Sequence, residues 1–328
     1  MIWLAWRQYR LAIIAAAAAA GALAVWMLVV AHNDQSAFEA LARLRCQAYS
    51  SLSGSGPFAI TCMRLSNGKT SAEDQAVIIS RLLVALPLLL GLLTGPALVA
   101  GELEHKTNRL IWTQSVSRTR WLVSKWLLAA LAVSVLTEPL ALLALWWLGH
   151  VPGALGQSRI IPGLFDVTGI VPVAYSLFAL SLGAALGALA RRVATALLGT
   201  IVFFIAVRVA VVHLVRPWLV TPLFSATLAG TTAGTPPGYV TSWSVAYGLR
   251  AIPGFRHPAT GHQVAVLLAH CPNATFLHCL AMHGQQMGWY YQPLSHYWPL
   301  QVAETSIYLG FALVLFGATL WAVRRWRA

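Results

Sequence analysis

Six stretches of this chain are long and apolar enough to cross a lipid bilayer, and that single feature removes most of the folds otherwise open to 328 residues. A spanning helix needs about 20 predominantly apolar residues. The pattern predicts spans at about 11–31, 77–100, 121–148, 170–190, 193–214 and 300–323. Charged residues make up only 9% of the chain, against roughly 25% in an ordinary soluble domain. A soluble fold of this composition would show large apolar patches to water; lipid removes that penalty. In hydrocarbon the backbone must satisfy its own hydrogen bonds, which restricts spanning segments to helices or closed barrels. Runs of this length read as helices. The expected fold class is therefore an all-α polytopic membrane protein, with 1–328 as one transmembrane domain. The first run follows Arg7 and Arg10 as a signal peptide would. It is longer than a typical signal-peptide core and no A-x-A site follows, so it is read as a span.

The charges orient these spans. The net charge is +13. Arg7, Arg10, Lys106, Arg109, Arg118, Arg120, Arg191, Arg192, Arg324, Arg325 and Arg327 fall in short segments on one side, with Lys125 just inside the third span. The much longer segments on the other side hold fewer basic residues. The positive-inside rule then places both termini in the cytoplasm and makes 32–76 and 215–299 extracytoplasmic loops. No basic stripe with interleaved aromatics lies on a polar segment, so nucleic acid is not an expected partner. Cys46 and Cys62 fall in the first outer loop, Cys271 and Cys279 in the last, on the oxidising side where disulfides persist. Four cysteines allow three pairings. The two within-loop pairs, Cys46–Cys62 and Cys271–Cys279, are expected, with free thiols as the alternative.

Within the outer loops, Phe38, Leu41 and Leu44 stand at helical spacing. The run 229–239 reads as loop, and 262–285 as an external helix pair or a re-entrant segment. Gly91 with Gly95, and Gly183 with Gly187, have the spacing that lets helices approach closely, within one chain or at a dimer seam. Pro87, Pro96 and Pro139 are expected kinks. Besides Lys125, four charges fall inside spans: Arg81, Glu138, Arg208 and Glu304. Their depths suggest the pairs Arg81–Glu304 and Glu138–Arg208 in the outer half of the membrane. They are candidates for a gate or for the transport pathway, Glu138 above all because Pro139 beside it frees backbone. Asn67-Gly68-Lys69-Thr70 resembles a P-loop, but Met63 occupies the place of its first glycine and the segment is read as outside. The outer histidines (His257, His262, His270, His278, His283, His296) have irregular spacing and no carboxylates beside them, so no metal is expected.

The second and third spans are joined by a cytoplasmic loop, 101–120. It opens on two acids and then offers Leu110, Ile111 and Trp112 as an apolar patch, as a short helix on the membrane face would. Glu102, Glu104, Thr107, Leu110, Thr113, Ser117, Arg118 and Lys125 match the pattern E-x-E-x-G-T, then Leu, then T-x-x-[ST]-R, then Lys. This loop resembles that of the type-two ABC exporter permeases, and WTQSVSRTRWL is most similar to actinobacterial members. The opening MIWLAWRQYR and the run YQPLSHYWPLQVAE from Tyr291 are also similar to those proteins. Lys106 departs from the family's usual Gly, and Gly101 from a common basic residue. The resemblance implies a multi-pass permease subunit in a bacterial cell membrane. It would pair with a second permease copy, identical or related, and sit on two ABC ATPase subunits. Those partners would bind ATP and Mg; this chain would carry no cofactor and no enzymatic site of its own. The loop would be the coupling helix, with Glu102, Glu104, Thr107, Leu110, Thr113, Ser117 and Arg118 coupling it to the ATPase. The alternatives are a membrane-embedded enzyme with a site in the outer loops or outer half-membrane, and an immunity or anchoring protein that works without an ATPase.

Overall fold

The computed structural model describes residues 2–46, 56–104, 117–150, 159–226, 242–253, 266 and 276–325. Two long helices open the chain, α1 (Ile2–Arg43) and α2 (Pro57–Glu104). They are followed by α3 (Arg118–His150), the single turn α4 (Pro162–Phe165), α5 (Val171–Ala190) and α6 (Val193–Ala210). A π-helical turn, Val211–Val215, carries α6 into α7 (Arg216–Leu219). Three strands and one helix come next: β1 (Leu223–Ala226), β2 (Ser242–Ala251), α8 (Phe276–Met282) and β3 (Gln285–Pro293). The last helix is α9 (Tyr297–Arg325).

Six segments among these are long and apolar enough to span a membrane: Ile14–Arg43, Pro57–Gly101, Arg118–Gly149, Val171–Ala190, Val193–Leu219 and Leu294–Arg325. Each coincides with an expected span, and the spanning part is all-α and polytopic. The helices overrun the expected limits. At 1.5 Å per residue the 48 residues of α2 extend about 72 Å, more than twice the roughly 30 Å hydrocarbon core. The expected outer loop 32–76 is thus largely a helical hairpin, made by the end of α1 and the start of α2. Cys46–Cys62 closes its tip, with Cα atoms 5.7 Å apart. Phe38 and Leu41 are half-buried, but Leu44 lies past the last residue of α1 and is exposed. Farther down, Met27, Val30 and Ala31 of α1 pack with Ala72, Ala76 and Ile79 of α2 and with Leu140, Ala144 and Trp147 of α3.

The centre of the bundle is α5. Of its most apolar stretch 72% is buried, against 17–33% for the other five spans. The reason is its composition: Ala174, Ala179, Gly183, Ala184, Gly187 and Ala188 present little side chain, so neighbours close in on every side. A Cβ at Gly95 would lie 2.7 Å from the Leu180 carbonyl oxygen, and one at Gly183 would lie 2.6 Å from the ring of Pro96. The two glycine pairs therefore meet one another within the chain, α2 against α5. Hydroxyls add polar contacts: Trp126 Nε1 donates to Ser181 Oγ at 3.1 Å, and the Thr137 and Ser176 hydroxyls lie 3.0 Å apart.

Between the fifth and sixth spans the structure adds a sheet that the sequence does not anticipate; within 262–285, where a helix pair or a re-entrant segment is expected, the described residues include the helix Phe276–Met282. The sheet is antiparallel in the order β1-β3-β2, with α8 just before β3. Tyr290 pairs with Phe224 on one side and Ala246 on the other, and Trp289 with Ser225 and Tyr247. The consecutive aromatics Trp289, Tyr290 and Tyr291 of β3 favour a strand, and helical periodicity alone does not register them. Cys279 is disulfide-bonded; its expected partner Cys271 lies outside the described residues, as does 229–239.

Gly95→Val forces its new methyl groups into the Leu180 carbonyl. Overpacking of this kind costs about 1–3 kcal/mol. The variant is expected to unfold at a lower temperature in nanodiscs, whereas Gly21→Val, at a site with nothing within 4 Å, leaves the midpoint unchanged.

Candidate functional site

The densest polar feature among the described residues sits where the fifth and sixth spans meet the segment before α5. Asp166 follows α4 directly, Tyr175 lies on α5, Arg208 on the last turn of α6, Arg216 on the first of α7 and Glu304 on α9. The π-helical turn lies between the two arginines; such turns shift the register of all that follows. Both guanidinium groups thus reach the same two carboxylates. Arg216 donates from Nη2 to Asp166 Oδ1 at 2.5 Å and to Glu304 Oε1 at 2.8 Å, and from Nε to Glu304 Oε2 at 2.6 Å. Arg208 Nη2 lies 2.8 Å from Asp166 Oδ2, and its Nη1 lies 3.6 Å from Glu304 Oε1. Tyr175 Oη donates to Glu304 Oε1 at 2.6 Å, and the Arg208 guanidinium stacks 3.6 Å from the centre of the Tyr175 ring.

Two cations and two anions make the cluster formally neutral, which is what deep burial demands. Glu304 is 0% and Arg216 1% exposed. The neighbouring backbone is also held by side chains. Residues 166–170 are not helical, and Gln301 bonds both this stretch and its two flanks: Oε1 accepts from Val171 N at 3.1 Å, and Nε2 donates to the carbonyls of Thr168 and Phe165 at 3.0 and 3.3 Å. At membrane depth, irregular backbone is tolerated where it is buried in protein or lines a water-filled cavity; here it is the protein that supplies the bonds. Tyr297 Oη donates to Thr168 Oγ1 at 2.9 Å. Gly169, at φ +73°, passes so close that a Cβ would lie 2.7 Å from Tyr297 Oη. Tyr297, Gln301, Glu304 and Tyr308 thus form one buried face of α9. The sheet is tied to the same place. Gln292 of β3 donates from Nε2 to the carbonyls of Val220 and Pro217 at 2.6 and 3.1 Å, and His296 Nδ1 lies 2.6 Å from its Oε1.

Of the four intramembrane charges singled out in the sequence, the structure brings two together, Arg208 and Glu304. The expected pairs are corrected. Glu304 pairs with Arg216 and Arg208 rather than Arg81, and Arg208 pairs with Asp166 and Glu304 rather than Glu138. Arg81 is exposed on α2. Glu138 is half-buried on α3, with Oε2 lacking a hydrogen-bond partner. Asp166 and Arg216 were the residues missed. Both fall beside the expected spans, although the observed fifth span, Val193–Leu219, takes in Arg216; a reading that assigns loops to solvent discards them. The available signal was the isolation of Asp166 in a segment with no other acid between Glu138 and Glu304.

At the opposite end of the bundle, Glu104 Oε2 accepts from Val193 N at 3.0 Å, and Ser117 Oγ accepts from Arg120 N at 3.3 Å. Glu102 lies in the last turn of α2 and Arg118 begins α3. Thr107, Leu110 and Thr113 lie outside the described residues. No group of three His, Cys, Asp or Glu side chains that would hold a metal occurs among the described residues, and Asp166 and Glu304 are occupied by guanidinium donors.

A family model described as "ABC-2 membrane transporter related" matches residues 3–216, which include Asp166, Arg208 and Arg216. No curated protein and no solved structure matches the chain.

Removing one member of the cluster strands a buried charge, at a cost of about 3–5 kcal/mol. Arg216→Met is expected to lower the unfolding midpoint sharply, and Arg216→Met with Glu304→Gln to recover part of the loss. A double-mutant cycle on purified protein measures the coupling, with Arg81→Ala as the nearly neutral control.

Proposed function

The chain belongs to the ABC-2 membrane transporter related family, and from that premise we propose that it is the permease subunit of an ABC exporter driven by a separate ATPase chain. The observation that carries this reading is the family match over 3–216, which takes in the first five of six apolar helices. Two ATPase subunits bind ATP with Mg and close upon one another. The loop 101–120, with Leu110, Thr113 and Thr107 at its centre, docks on them from the cytoplasm. A second permease copy completes the pathway in the cell membrane. Catalysis stays on the partner, and this chain converts closure of the ATPases into movement of its spans.

In this reading the cluster of Asp166, Arg208, Arg216 and Glu304 belongs to the outer closure of the pathway. It ties α6, α7 and α9 to the segment before α5 at the end of the bundle away from the docking loop. Supporting it is the cost of burying four charges, which hydrophobic packing would avoid. Glu138, with an unpaired carboxylate oxygen, remains a pathway candidate, and Arg81 stands at the rim.

Leu110→Asp places a charge on the docking face. It is expected to cut recovery of the copurifying ATPase at least tenfold while the permease still reaches the membrane; undiminished recovery would remove the docking role. Glu138→Gln and Glu138→Ala, in complexes that assemble normally, are expected to slow export. Full export by both would leave Glu138 a packing residue.

A further inference from the structure

We infer that Glu104 is a positioning residue that caps α6 from another hairpin, so that any displacement of the 101–120 loop is delivered to α2 and α6 together. This rests on the permease reading, in which that loop faces the ATPase.

The argument starts at the turn between α5 and α6. Arg191 ends α5 in the left-handed region, at φ 54°, and Arg192 is extended at φ −132°. Helix α6 therefore starts abruptly, and its first N–H groups need acceptors from outside the helix. The usual supplier is an Asp, Asn, Ser or Thr at the N-cap. Here the N-cap is Arg192, which has no acceptor and makes no capping bond. It also puts a cation at the positive end of the helix dipole. Glu104 meets both needs. Its Oε2 accepts from Val193 N at 3.0 Å, and its charge has the sign that the dipole favours.

The carboxylate reaches there because α2 is held close along its final turns. A Cβ at Gly187 would lie 3.3 Å from Ala100 N, so α2 and α5 are in backbone contact just before Glu104. The loop leaves α2 at this residue. On its other side, Ser117 caps α3, and Arg324 Nε of α9 donates to Thr119 Oγ1 at 3.3 Å. Each end of the loop thus carries a handle on a distant span, α6 at one end and α9 at the other. These two helices also carry Arg208 and Glu304, which meet in the charge cluster at the far end of the bundle.

The test uses the purified complex of the chain with the ATPase that copurifies, in nanodiscs. Spin labels are placed at the exposed positions Ile78→Cys and Leu214→Cys, with native disulfides intact. Trapping with ATP and vanadate is expected to change the label distance. Glu104→Ala should reduce that change at least twofold while ATPase recovery and the unfolding midpoint stay as in the wild type. Glu104→Gln, which keeps an acceptor oxygen, should restore it. Hydrogen exchange at Val193 on the chain alone should speed up at least fivefold in Glu104→Ala and return in Glu104→Gln. A full distance change in Glu104→Ala, or loss of the ATPase from that complex, would overturn the inference; the latter result would put Glu104 on the docking face. Unchanged exchange at Val193, or no rescue by Gln, would overturn it equally. If no ATPase accompanies even the wild type, the permease reading fails first, and the exchange measurement alone decides whether the cap exists.

Discussion

The structure depends on a requirement imposed by low dielectric: a fully buried charge, or an irregular stretch of buried backbone, must find its partner inside the protein. The cluster of Asp166, Arg208, Arg216 and Glu304 meets it for charge, and Gln301 meets it for backbone. Neither solution is local. Asp166 and Glu304 are separated by most of the second half of the chain, and so are Gln301 and the Val171 N–H that it accepts from. The segment before α5 and the faces of α6, α7 and α9 have this shape because those bonds must all be made at once. Ion pairs so deeply buried are seldom the most stable way to fill a core; their value is that they specify one arrangement.

A second constraint works through absence of side chain. The glycines and alanines of α5 let α2 approach to backbone contact near Gly95 and Gly187. A central helix of leucines would have held its neighbours some ångströms away and spread the bundle. Close approach also brings the end of α2 to the start of α6, which is what places Glu104 under Val193. Packing at one depth thus sets a polar contact at another. The parts that project beyond the spans follow a different logic, that of segments outside hydrocarbon. A disulfide closes the tip of the helical hairpin, and a three-stranded sheet, anchored through Gln292, covers the junction of the fifth and sixth spans.

Much of this was legible in the chain. Hydropathy located all six helices because the cost of burying unpaired polar groups in lipid leaves little freedom. Glycine spacing identified the α2 and α5 surfaces, since only small residues permit that approach. Cysteine position pointed to Cys46–Cys62. What failed did so for definite reasons. The start of the outer hairpin reads as loop because its helices are polar and carry no lipid signal. The sheet between the last two spans escaped because edge pairing joins strands far apart in sequence. Glu304 and Arg208 stood out as charges within spans, but their partners did not. Depth along a helix says nothing about which way a side chain points or which helix lies beside it.

The sequence by itself determined that this chain is a bundle of apolar helices, where most of them lie, which faces carry small residues, and which charges are costly to bury. Those properties belong to single residues or to periodic runs, and the bilayer reads them directly. Tertiary structure alone decided the partners: that Glu304 meets Arg216, that Asp166 joins Arg208, that Glu104 caps a helix from another hairpin. These depend on which helices become neighbours and in what rotation. Packing of the whole bundle settles both, through many weak contacts that no short stretch of sequence contains.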